Sequence, residues 1–188
     1  MIFLLAQRRQ NVARRNLVTL VFITLVLSSA CFPQAMSAIQ EEPVFRAPFK
    51  LRLHIDDDHY YEQGFERIPY VANNEVYLFS GEGFGINVTV SGDQLAGITY
   101  QPDIAKADVE FNFTQEKSAD GFMMLLVTRN KLKRKLFFDA LMTVPGKPEI
   151  YKTSVLPVEP NLSNFESWPH PIIQLVLNNF RFSEGGSQ

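Results

Sequence analysis

Beyond Pro48 the chain alternates apolar and polar positions with a period of two, the pattern of strands that bury one face and wet the other. Phe49, Leu51, Leu53 and Ile55 alternate with Lys50, Arg52 and His54. Ile86, Val88 and Val90 alternate with Asn87, Thr89 and Ser91, and Val109, Phe111 and Phe113 with Glu110, Asn112 and Thr114. Val76–Phe79 and Ile98–Tyr100 are shorter runs bounded by Gly, Asn and Asp turn residues. Phe122–Val127 (FMMLLV) is apolar throughout and predicts a central strand covered on both faces. Leu136, Phe138, Ala140 and Met142 continue the pattern, followed by Ile150–Val155. Ile173, Leu175 and Leu177 come last, and the phase then slips to Phe180 and Phe182, so Asn178-Asn179 predicts a β-bulge.

These are about nine strands at roughly ten-residue spacing, with no long helix. They predict an all-β fold, a two-sheet antiparallel sandwich over residues 47–183, immunoglobulin-like in architecture but without the Cys…Trp…Cys spacing of true immunoglobulin domains. Residues 39–46 read as a polar lead-in and 184–188 as a flexible tail. Gly81-Glu82-Gly83-Phe84-Gly85 lacks the spacing of a phosphate loop and precedes a strand, so it reads as a hairpin connection with glycines at positive φ.

The first 38 residues have a different character. Arg8, Arg9, Arg14 and Arg15 precede an apolar run, Leu17–Leu27, which is followed by small residues up to Ala38. A positive start, a short apolar stretch and a small-residue exit make a secretory signal, and the run is shorter than the ~20 residues a bilayer core needs. The expected location is secreted or periplasmic. Leu27-Ser28-Ser29-Ala30-Cys31 resembles a bacterial lipoprotein signal, which implies lipidation of Cys31 and a membrane anchor; Ser28 stands where that motif prefers Leu. Arg14-Arg15-Asn16-Leu17 is a partial twin-arginine pattern, and the apolar run fits the general secretory route better.

Charge narrows the partners. Removing the four leader arginines from 18 basic residues leaves 14 against 20 acidic ones, a net charge near −6, which argues against nucleic acid. A single cysteine excludes an intramolecular disulfide and any zinc site built on paired cysteines.

Four segments carry candidate chemistry. Asp56, Asp57, Asp58, His59, Tyr60, Tyr61 and Glu62 form the densest polar cluster. Asp56, Asp58 and Glu62 could hold a hard cation such as Ca²⁺, the one cofactor considered, although Tyr61 stands where an EF-hand loop needs Gly. A solvated turn is the simpler reading, and with Tyr60 and Tyr61 the cluster is a candidate sugar-binding edge. Arg129, Lys131, Lys133, Arg134 and Lys135 put five cations in seven residues between two apolar strands. They predict a basic hairpin tip, either a contact for anionic surfaces or a guard against edge aggregation. Leu156–Pro171 lacks alternation and reads as a long loop, with Phe165 and the single tryptophan, Trp168, as binding candidates or as plugs of the sandwich end. Asn87, Asn112 and Asn161 begin glycosylation sequons.

The three histidines, at 54, 59 and 170, belong to no nucleophile elbow or metalloprotease helix. The leading expectation is therefore an exported, non-enzymatic binding or structural module, touching protein, polysaccharide or a membrane surface. Its rivals are a secreted hydrolase using the carboxylates of Asp56–Glu62 with His170, and a lipid-anchored envelope lipoprotein.

Overall fold

The computed structural model describes residues 42–182. The leader with Cys31, the start of the lead-in and the tail 184–188 lie outside the described residues. The described chain is a β-sandwich of twelve strands: β1 (Phe49–His54), β2 (Tyr60–Phe65), β3 (Val71–Ala72), β4 (Glu75–Leu78), β5 (Glu82–Ser91), β6 (Gln94–Gln101), β7 (Val109–Ser118), β8 (Gly121–Asn130), β9 (Phe137–Thr143), β10 (Tyr151–Thr153), β11 (Ser163–Trp168) and β12 (Gln174–Arg181). Two five-stranded antiparallel sheets face each other, ordered β10-β9-β12-β4-β3 and β11-β8-β7-β5-β6, and β1 and β2 form a separate hairpin. Among the described residues no helix is long and apolar enough to cross a membrane.

The nine expected strands are all present, and the alternation names their dry faces. Val76, Leu78, Ala140, Leu175 and Leu177 of the first sheet and Ile86, Val109, Phe111, Phe113, Met124 and Leu126 of the second are buried in one core. Phe111 meets Phe180 across the sheets at a ring separation of 6.4 Å. Leu51 and Leu53 of β1 join the same core, and the hairpin is tied to β7 where Gln115 accepts the His54 amide at 2.8 Å and donates to its carbonyl at 2.9 Å. The phase slip is a bulge: the β12–β9 register shifts between Asn178 and Arg181, and Asn179 has φ 53°.

Four expectations are corrected. First, three strands were hidden from the alternation: β2 by its polar composition, β3 by its length of two residues, and β11 inside the expected loop Leu156–Pro171. Secondly, β8 and β9 are not a hairpin. Both sides of β8 are already paired, to β7 and β11, while β9 lies in the other sheet, so residues 131–136 cross from one sheet to the other. Asn130 organises that crossing from a fully buried position: its amide donates to the carbonyls of Arg134 at 2.8 Å and Val158 at 3.0 Å, and its Oδ1 accepts from the Leu132 amide at 3.0 Å. Thirdly, β8 is buried on one face only; Met124 and Leu126 are in the core, whereas Met123, Leu125 and Val127 are half-buried on the outside. Fourthly, of the clustered glycines only Gly81 has positive φ; Gly83 and Gly85 lie within β5, and a Cβ on Gly85 would stand 2.2 Å from the Ala107 Cβ, so close approach and not turn geometry requires glycine there.

The lead-in is also part of the fold. Arg46 is buried, ion-paired to Glu82 through both carboxylate oxygens, and its guanidinium donates to the carbonyls of Pro69 and Tyr77. Tyr70, Phe79 and Phe84 surround it, with the Tyr70 ring centre 4.0 Å from the guanidinium carbon.

Two stability predictions follow from these positions. Leu126→Ala should cost about 2–5 kcal/mol in urea unfolding and Leu125→Ala markedly less, because only the first opens a core cavity. Arg46→Ala should cost about 3 kcal/mol by leaving the half-buried Glu82 carboxylate without its partner, and Arg46→Ala with Glu82→Gln should recover part of that loss in the same assay.

Candidate functional site

The acidic segment is the tip of the β1–β2 hairpin. Asp56 Oδ1 accepts the amides of Asp58 and His59, each at 2.8 Å, and its carboxylate contacts His59 Nδ1 at 2.8 Å. Those bonds, led by the Asp58 amide and the His59 ring, hold the Asp56 carboxyl below its ordinary value. Asp57 pairs with Lys117, and the Asp58 carboxylate makes no ion pair or hydrogen bond among the described residues. Glu62 sits further along β2, 2.7 Å from Lys50 and 3.6 Å from Arg52, and the Lys50 bond lowers its pKa. Tyr60 lies under the Arg52 guanidinium at 3.7 Å, while Tyr61 turns toward the core and donates to Gln63. The turn thus uses Asp56 to close itself, and among the described residues no three His, Cys, Asp or Glu side chains stand grouped as ligands. His170 contacts the Pro171 carbonyl at 3.4 Å and makes no hydrogen bond to the Asp56–Glu62 segment.

Four of the five cations are dispersed along the sheet-to-sheet crossing, and Arg129 lies on β8. Lys131 pairs with Glu110, Lys135 with Glu159 at 2.6 Å, and Arg134 reaches Asp93 at 3.7 Å. Arg129 and Lys133 are exposed and make no ion pair among the described residues. Phe165 and Trp168 part company because they occupy opposite phases of β11. Trp168 is buried edge-on to Phe113 and donates Nε1–H to Thr153 Oγ1 at 2.9 Å, closing the β10–β11 side; Phe165 is 66% exposed.

A concave feature of the described surface lies elsewhere. A cleft of about 430 Å³ is lined by Asn73, Asn74, Glu75, Asn178 and Asn179, with Leu95 and Phe180 as its apolar part. Local chain geometry brings these together. Asn73 and Asn74, at φ 52° and 60°, are the two-residue turn between β3 and β4, where both central residues need positive φ. Asn179 is the αL residue of the β12 bulge. Asn74 Oδ1 accepts the Ile98 amide at 3.2 Å, which ties the turn to β6 across the side of the sandwich. At the rim Asp139 accepts from Asn179 at 3.2 Å and faces Arg181 at 3.3 Å and Lys152 at 3.4 Å. The Asn179 bond first, then the two cations, hold its carboxyl below the ordinary value. Beside the cleft, burial and the Glu75 carboxylate push the Tyr77 hydroxyl up to about 12.

The sequence reading missed this cleft, since its Asn pairs read as turn residues; the signal present was an Asn-Asn pair at a turn and a second one at a phase slip. No protein-family model, curated protein or solved structure matches the chain.

Asp139 supplies a pH test. A depressed carboxyl contributes stability that is complete above the ordinary value of 3.8 and is lost as pH falls through the lowered one. Melting temperatures measured on either side of that window should fall less steeply for Asp139→Asn than for the wild type; equal slopes would remove Asp139 from the acid response.

Proposed function

We propose that the protein is exported and works by binding, as a non-enzymatic module of the cell envelope or the extracellular space, with the asparagine-lined cleft as its ligand site. The cleft carries this reading. Its volume falls in the range of small-ligand sites, about 300–1,000 Å³. Four primary amides line it beside the Glu75 carboxylate, which already accepts from the Tyr77 hydroxyl, and an amide offers donors and an acceptor without ionising, so most of the lining is suited to recognising hydroxyls. Leu95 and Phe180 offer apolar surface to the C–H face of a ring. This chemistry suits a neutral saccharide, the small end of the polysaccharide partner expected from the sequence. The acidic hairpin and the basic crossing, by contrast, each spend most of their charges on ion pairs with nearby residues.

Export rests on the leader pattern, and secreted or periplasmic placement follows from it. An immunoglobulin-like connectivity belongs to the same proposal: β8 lies beside β11 and β12 beside β4, the long returns that Greek-key sandwiches use. The lipid-anchored alternative depends on Cys31 alone and predicts a mature chain beginning at that residue.

Two measurements test the proposal. The chain expressed in full in a Gram-negative host should be recovered from the periplasm or medium with the leader removed, as intact mass shows; full-length protein in the cytosol would overturn export. Titration with neutral oligosaccharides should shift the amide side-chain NMR signals of Asn73 and Asn178, and Asn178→Ala should weaken binding about tenfold, the worth of one hydrogen bond. Silence of those signals across a panel of neutral sugars would overturn the saccharide reading.

A further inference from the structure

The outer face of the second sheet carries an apolar stripe that the core does not use. Met123, Leu125 and Val127 of β8 line it, half-buried, and Phe165 of β11 stands directly beside Val127, 66% exposed. Ser163 and Ser167 flank Phe165 on the same face of β11, and Asn112 and Thr114 lie across from Val127 and Leu125 on β7. The stripe ends in two charges of opposite sign. Arg129 is next in phase after Val127, and Glu116 is the β7 partner of Met123. Both are exposed, and neither makes an ion pair or side-chain hydrogen bond among the described residues. The other carboxylate on this face, Glu110 opposite Arg129, is already neutralised by Lys131.

We infer that this face binds a second copy of the chain, sheet against sheet, about a two-fold axis that lies between the sheets, perpendicular to the strands and level with Leu126. Such an axis reverses strand direction while keeping β8 over β8. Arg129 of one copy then stands over the Met123 level of the other, within side-chain reach of Glu116 one strand away, and symmetry makes that pair twice. The same operation lays Val127 on Leu125 and the Phe165 ring on Ser167, bulky against small, as interdigitating faces require. An axis parallel to the strands and centred on β8 would instead stack Arg129 on Arg129; the first arrangement sets Glu116 over Glu110, whose charge Lys131 balances, so charge selects it. Three strands of about seven residues bury well under the ~1,200 Å² of a standard interface, which places the dimer among the weak, concentration-dependent ones.

Sedimentation equilibrium of the purified protein from about 10 µM to 1 mM, with thermal melts confirming folded variants, tests the inference. The wild type should pass from monomer to dimer. Arg129→Glu and Glu116→Arg should each weaken the dimer at least tenfold, and the two together should restore it, because the swapped charges meet again across the axis. Phe165→Ser, on an exposed site that spares the fold, should weaken it comparably. A wild type that stays monomeric throughout, including one that sediments instead with anionic or neutral vesicles, would overturn the inference. So would a dimer indifferent to Arg129→Glu, or a double variant no tighter than the singles.

Discussion

A single buried guanidinium links the parts of this sandwich that the sheets leave separate. Arg46 comes from the segment preceding β1, Glu82 opens β5 in the second sheet, and the carbonyls it satisfies belong to Pro69 and to Tyr77 of β4 in the first sheet. Glu82 in turn accepts the Phe79 amide at 3.0 Å, so the turn between β4 and β5 is closed around the ion pair. Burying the guanidinium beside a half-buried carboxylate is costly, and the arrangement is viable because the donors and acceptors of the pair are used and three aromatic rings present their faces or edges to the cation. The pair contributes direction more than net energy. It fixes where the chain enters, which carbonyls may face inward, and how the two sheets are offset at that end.

The opposite side of the sandwich is closed by gentler means. Edge strand β10 is tied to edge strand β11 by the Trp168–Thr153 hydrogen bond, and the chain at Leu156 is fastened to β11 through Asn164 and Glu166 side chains. Side-chain bonds of this sort cover an exposed edge without adding a strand, one of the ways natural sheets avoid pairing with a neighbour's edge. On the β3–β6 side the Asn74 amide does similar work against Ile98, and the asparagine-lined cleft is the gap left above that tie.

Much of the fold was legible because a period of two says both that a residue is in a strand and which way it faces. The bulge at Asn178 was legible for the same reason, since a phase slip in a strand has few other causes. What stayed hidden has three physical origins. β2 and β11 are edge-like strands with little apolar surface to bury, so YYEQGF and SNFESW carry no alternation to read. Pairing partners are invisible to periodicity: two apolar strands joined by a short basic segment look alike whether the segment turns back within one sheet or crosses to the other. Asn130, in the buried phase of Met124, Leu126 and Thr128, was the amide whose polarity at a dry position hinted at a buried crossing. The cleft was hidden because it joins residues about a hundred positions apart, Asn73 and Asn178.

The same long separation bears on the order in which the molecule assembles. Beyond its short hairpin with β3, β4 finds its other partner only in β12, about a hundred residues later, and so the first sheet cannot be completed until the last strand has emerged. A chain built this way is slow to become compact while it is still being made. Under the export proposed above, that delay would be useful, because the closing strand arrives last and folding is deferred to the far side.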